Sequence, residues 1–108
     1  MAGLNRDRSD KLWHDATGLM PGGVSSPVRS FNAVNAHPFF VARGNGAYLT
    51  DVDGNEYIDF VQSWGALLFG HAHPNIVQAV TEAAAEGTSF GAVCEREVEL
   101  ARLVVELV

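Results

Sequence analysis

Apolar residues recur at helical spacing near both ends of the chain and at strand spacing in its middle. Over residues 10–20, Leu12, Trp13, Ala16, Leu19 and Met20 fall on one face of a 3.6-residue period. This predicts an N-terminal amphipathic helix with Ser9 or Asp10 as its N-cap. Pro21-Gly22-Gly23 ends that helix, and the chain through Pro38 is rich in Ser, Asn, Gly and Pro without a period, as expected of an irregular segment laid over a surface. Such loops often carry binding groups. Three short apolar runs follow, at 39–43, 47–51 and 56–60. Gly44-Asn45-Gly46 and Asp53-Gly54-Asn55 separate them and supply the positive φ values that tight hairpins need, so a three-stranded antiparallel meander is expected. A further helix is predicted from Pro74, a residue well tolerated at the first helical position, to about Gly87, with Ile76, Val77, Val80, Ala83 and Ala84 on its apolar face. The last predicted helix runs over 95–108 and gathers Leu100, Ala101, Val104, Leu107 and Val108 on one side. With no terminating glycine, asparagine or proline, it reads as a helix still running at the last residue. The expected class is α+β.

Composition narrows the function. A chain of 108 residues can hold one modest core. Its formal net charge is -6, and its 7 basic residues are scattered, which excludes the basic stripe that nucleic acid or an anionic membrane would require. One cysteine, Cys94, cannot form an internal disulfide, and there is no signal peptide or long apolar span. An acidic soluble enzyme of the reducing cytoplasm is the expectation.

Several short runs could carry chemistry. Ser26 and Arg29 lie three positions apart beside Pro27, and a fixed guanidinium near a hydroxyl suits a carboxylate because its fork gives two charge-assisted hydrogen bonds. From spacing alone, a solvated loop cation and a turn serine are the commoner reading. Trp64, between Ser63 and Gly65, could line a cleft or fill a core. His71 and His73 invite a metal reading, but no third ligand accompanies them at a plausible spacing, and a loop-to-helix junction capped by His73 explains them better. No metal site is assigned. Asp51-Val52-Asp53-Gly54-Asn55 fails as a calcium loop, since glycine comes fourth and Gln62 stands where a bidentate glutamate belongs; it reads as a hairpin turn. Gly87-Thr88-Ser89-Phe90-Gly91 lacks the lysine and spacing of a P-loop.

Taken in order and spacing, PGGVSSPVR at 21–29 and DVDGNEYIDFVQSWGALLFGHAHP at 51–74 resemble the N-terminal segment of the aminomutase branch of the class III pyridoxal-phosphate aminotransferases. The resemblance runs from about Trp13 to Val108. It implies a fragment of a fold-type I enzyme whose complete protein is α/β, with residues 1–70 in the small domain and 71–108 opening the large cofactor domain. It also implies conversion of glutamate 1-semialdehyde to 5-aminolevulinate in tetrapyrrole synthesis by a cytoplasmic homodimer. Ser26 and Arg29 would then hold the substrate carboxylate and Trp64 would wall the cavity, while pyridoxal 5'-phosphate would be bound mainly by residues beyond this chain. The resemblance implies no catalytic residue within it. Two departures stand out: Ala92-Val93-Cys94 where Pro-Thr commonly precedes the glutamate, and Asn35-Ala36-His37 where Gly-Gly-Thr is common. An ω-aminotransferase of the same class, and a non-catalytic dimerisation segment, are the alternatives.

Overall fold

The computed structural model describes residues 3–108, which fall into two compact units, one ending at His73 and one spanning Pro74–Val108. The first holds helix α1 (Asp7–Leu19), a series of short 3-10 turns, and strands β1 (Val41–Asn45), β2 (Tyr48–Asp51) and β3 (Glu56–Ile58). The second holds helices α2 (Pro74–Glu86) and α3 (Glu95–Leu107). The α+β reading holds.

The sheet is an antiparallel meander in the order β1-β2-β3. Asn45 pairs with Tyr48 and Leu49 with both Gly44 and Tyr57, while a register shift between Val41 and Arg43 bends the first strand. The first hairpin therefore closes through Gly46 and Ala47. Of the glycines expected to turn it, only Gly46 takes positive φ, at 53°. Gly44 instead lies within β1, where a Cβ would stand 2.6 Å from the His71 ring, so its bare Cα makes room for that imidazole. Gly54 turns the second hairpin at φ 87°, as expected.

Helix α1 starts three residues before the expected boundary, and neither Ser9 nor Asp10 caps it. Arg6 is at the N-cap but its side chain caps nothing, and Ser9 lies inside the helix, fully buried. The cap arrives from the β2–β3 turn: the Asp53 carboxylate accepts the backbone N–H groups of Arg8 at 2.7 Å and Ser9 at 2.9 Å. These are two of the donors a helix start leaves without partners, and a carboxylate there also complements the helix dipole. Arg8 returns a bond from Nη1 to the Val52 carbonyl at 2.7 Å, and Arg6 reaches the carbonyls of His37 and Pro38.

Packing within the first unit is aromatic. Phe39 stacks on Tyr57 with centroids 4.5 Å apart and meets Phe31 edge-on, and Trp13 stacks on His37. Ala16 is buried on α1, but Leu19 of the expected apolar face stays open. In the second unit the apolar positions of α2 and α3, including Val80, Leu100 and Val104, are likewise exposed.

Candidate functional site

Segment 24–30 is fixed by local bonds. Pro27 opens a 3-10 turn, Pro27–Arg29, into which Arg29 donates its N–H to the Ser26 carbonyl at 3.0 Å. Ser30 is buried and its hydroxyl donates to the Pro27 carbonyl at 2.8 Å. The Arg29 guanidinium donates from Nη1 to Ser25 Oγ at 3.2 Å. The serine that touches Arg29 through its side chain is thus Ser25, which sequence reasoning passed over in favour of Ser26. A guanidinium has five donors, so this bond leaves most of the fork free for a carboxylate.

Arg29 and Trp64 line one open cleft of about 540 Å³, together with Leu49, Asp59, Ser63 and His71. Ser26 is not among the residues lining it. Trp64 is 67% exposed, so within this chain its ring is a surface wall and not a core filler.

The backbone presenting that ring is strained. Gln62, Ser63 and Trp64 hold φ values of 48°, 51° and 57°, and Gly65 follows at 95°. Left-handed backbone costs roughly 1–2 kcal/mol for each non-glycine residue, so three in succession require strong support from outside. The support is Asp59. Its Oδ1 accepts the N–H groups of Val61 at 2.9 Å and Gln62 at 3.1 Å, and its carbonyl accepts Gln62 Nε2 at 2.7 Å. Its Oδ2 lies 2.7 Å from His71 Nε2. The bond from His71 and the two N–H bonds together outweigh the effect of burial and hold the Asp59 carboxyl below the usual carboxylate range. Ionised, it can only accept, so His71 carries a proton on Nε2.

A second carboxylate, Asp51, is 3% exposed. Burial would raise its pKa, but Asn55 Nδ2, the Tyr57 hydroxyl at 2.9 Å and the N–H groups of Asn55 and Asp53 all donate to it, and together they lower it. Burial, followed by the bond to Asp51, raises the Tyr57 phenol in turn. This network closes the β2–β3 turn, as the hairpin reading of that run requires.

The only lysine, Lys11, is exposed on α1 and is not among the cleft-lining residues. The cleft therefore offers a guanidinium, a hydroxyl and a flat aromatic wall beside the paired Asp59 and His71, groups that can bind a carboxylate at Arg29, but no amine for covalent attachment of a cofactor.

Comparison with known proteins gives the family. The sequence profile of "Aminotransferase class-III" matches residues 30–107. The glutamate-1-semialdehyde 2,1-aminomutase 1 of Listeria welshimeri is 57% identical over 105 residues, which are 97% of this chain and 24% of the relative. Among solved structures, an omega-transaminase from Sphaerobacter thermophilus matches with a TM-score of 0.84 at 36% identity, over 96% of this chain and 24% of that one. A glutamate-1-semialdehyde-aminomutase from Pseudomonas aeruginosa matches with a TM-score of 0.75 at 25% identity, over 87% and 20%. This chain spans about a quarter of the length of the curated relatives it matches.

Proposed function

The chain belongs to the class-III aminotransferase family, and from that premise we propose that it is the substrate-binding N-terminal part of a glutamate-1-semialdehyde 2,1-aminomutase. The activity proposed for the full-length enzyme is the transfer of an amino group between adjacent carbons, giving 5-aminolevulinate for tetrapyrrole synthesis. The observation that carries the reading is identity of 57% across nearly the whole chain to an enzyme of that name. Residues 1–70 would belong to the small domain and 71–108 would begin the large one. A cytoplasmic homodimer is part of the proposal and rests on the family resemblance; the exposed apolar surface described above shows only that this segment needs a cover, from the rest of the protein or from a second copy.

Pyridoxal phosphate, when bound, supplies the electron sink for bond rearrangement at the amino-bearing carbon. The residues of this chain do not by themselves fit covalent attachment of that group, because Lys11 is on α1 outside the cleft. The proposed work of this chain is recognition. Arg29 holds the substrate carboxylate through its planar fork, steadied by Ser25 Oγ, with the neighbouring Ser26 hydroxyl as the second donor. Trp64 limits the width of the cavity and excludes water from one wall.

The test is steady-state kinetics of the full-length enzyme on glutamate 1-semialdehyde, with Arg29→Lys and Ser26→Ala beside it. Lysine keeps the charge but loses the two-point contact, so Arg29→Lys should lower kcat/KM by roughly 1–3 kcal/mol of transition-state stabilisation with an unchanged melting temperature. Unchanged kcat/KM would make the 24–30 loop purely structural. An omega-aminotransferase is the second reading, favoured by the structural match, and good turnover of simple ω-amines by an Arg29→Lys enzyme would select it.

A further inference from the structure

The segment at 60–70 leaves the sheet at Asp59 and returns at His71, and its two ends are fastened to the same hairpin. Asp59 donates its N–H to the Ala47 carbonyl at 2.8 Å. His71 and Gly46 exchange both backbone bonds, at 2.8 and 2.9 Å. Gly70 permits this approach, since a Cβ there would stand 2.7 Å from the Gly46 oxygen, and Gly44 leaves the space that the imidazole fills. Across the neck of the loop, Asp59 Oδ2 and His71 Nε2 meet at 2.7 Å, with side chains only 7% and 17% exposed. Within this chain the residues between are largely open, with Phe60 89% exposed and Leu68 84%. The strained turn at 62–65 is supported at its base by the Asp59 oxygens.

We propose that the Asp59–His71 pair is a positioning device, closing the neck of the 60–70 loop so that the Trp64 ring is held at the wall of the cleft that Arg29 also lines. The pair sets substrate fit through Trp64. One Asp59 oxygen fixes the start of the left-handed turn, and the other fixes the return strand. Losing the His71 bond frees the neck, lets the turn relax toward ordinary backbone, and withdraws the ring from its place. Selectivity follows from the cleft width that Trp64 sets. This rests on the reading of the cleft as a substrate site but not on which amino compound it takes.

A double-mutant cycle on the full-length enzyme tests it, using His71→Ala, Trp64→Ala and the pair of changes together. The measurement is made on whichever amino substrate the enzyme turns over, so absence of aminomutase activity would overturn the functional reading and leave the cycle to decide this one. His71→Ala is expected to raise KM about tenfold with kcat changed less than about twofold, and to add less than about twofold once Trp64 is already alanine. His71→Gln places an amide donor near the position of Nε2 and is expected to restore KM. His71→Phe keeps a ring over Gly44 but offers no donor to Asp59, so it supplies the same cycle if His71→Ala does not fold. Additive effects of the two alanine changes, an unchanged KM in Trp64→Ala, or a His71→Gln enzyme no better than His71→Ala would each overturn the proposal, because a purely structural histidine loses stability without coupling to Trp64.

Discussion

Asp51 shows how a side chain can decide a turn without touching substrate. It is buried and accepts four hydrogen bonds from its own hairpin, and they hold its pKa below the ordinary aspartate value. A depressed native pKa means that the unfolded chain binds the proton more readily. The resulting stabilisation is fully present above the unfolded value of about 3.9 and is lost as pH falls through the lower native one. A chemical-shift titration of the Asp51 carboxyl should therefore place its midpoint below that of a model peptide, and Asp51→Asn should flatten the acid limb of the stability curve. Gly44 carries a second residue-scale prediction. Gly44→Ala forces a methyl into the His71 ring and should cost roughly 1–3 kcal/mol by denaturant melts, while Gly91→Ala, which meets nothing within 4 Å, should cost far less. The hairpin role of the Asp51 run was legible because its turn chemistry is local. The role of Gly44 was not, because the atom that requires a bare Cα there belongs to a residue distant in sequence.

At the scale of elements, the three helices and the meander were legible from period alone, with strand ends displaced by one or two residues. The start of α1 was not, and the reason is instructive. Ser9 and Asp10 look suitable as caps from sequence but lie inside the helix; Asn5 Oδ1 takes the Asp7 N–H at 3.1 Å, and Asp53 from another element takes those of Arg8 and Ser9. Ser9 is released from capping and is buried, its Oγ 3.4 Å from the Phe40 nitrogen, which donates to it. Asp53→Ala should therefore fray the first turn of α1 and lower the thermal midpoint by several degrees, and amide exchange at Arg8 and Ser9 should rise before exchange elsewhere in the helix. Ser9→Gly, at the position sequence alone would have made the cap, should act through lost packing and helix propensity and leave exchange at Arg8 slower than in Asp53→Ala. In the candidate site, Arg29 and Trp64 were legible as residue types and the cleft brings them together. Asp59 was missed because nothing in Ile58-Asp59-Phe60 distinguishes a carboxylate that organises a left-handed turn from a solvated one. The only local signal was its position two and three residues before the amides it accepts.

For the whole molecule, the outstanding feature is how little apolar surface is covered. Ala16 is the one buried hydrophobic residue among those described, while Phe60, Leu68, Val93 and Val105 are all more than four-fifths exposed. Area in that state favours association, so the isolated 108-residue chain should bind a hydrophobic dye and sediment as concentration-dependent assemblies; a monomer with one sharp, concentration-independent transition would count against this. The same chain should also fail to capture pyridoxal phosphate: after borohydride treatment its mass should be unchanged, and a stoichiometric adduct at Lys11 would refute that expectation. The central claim, that this cleft serves an intramolecular amino transfer, is tested most directly by giving the full-length enzyme glutamate 1-semialdehyde with no amino donor added. The account predicts 5-aminolevulinate formed over many turnovers with its nitrogen retained from the substrate. Absence of that product, together with efficient transfer from ω-amines to an added keto acid, would contradict it.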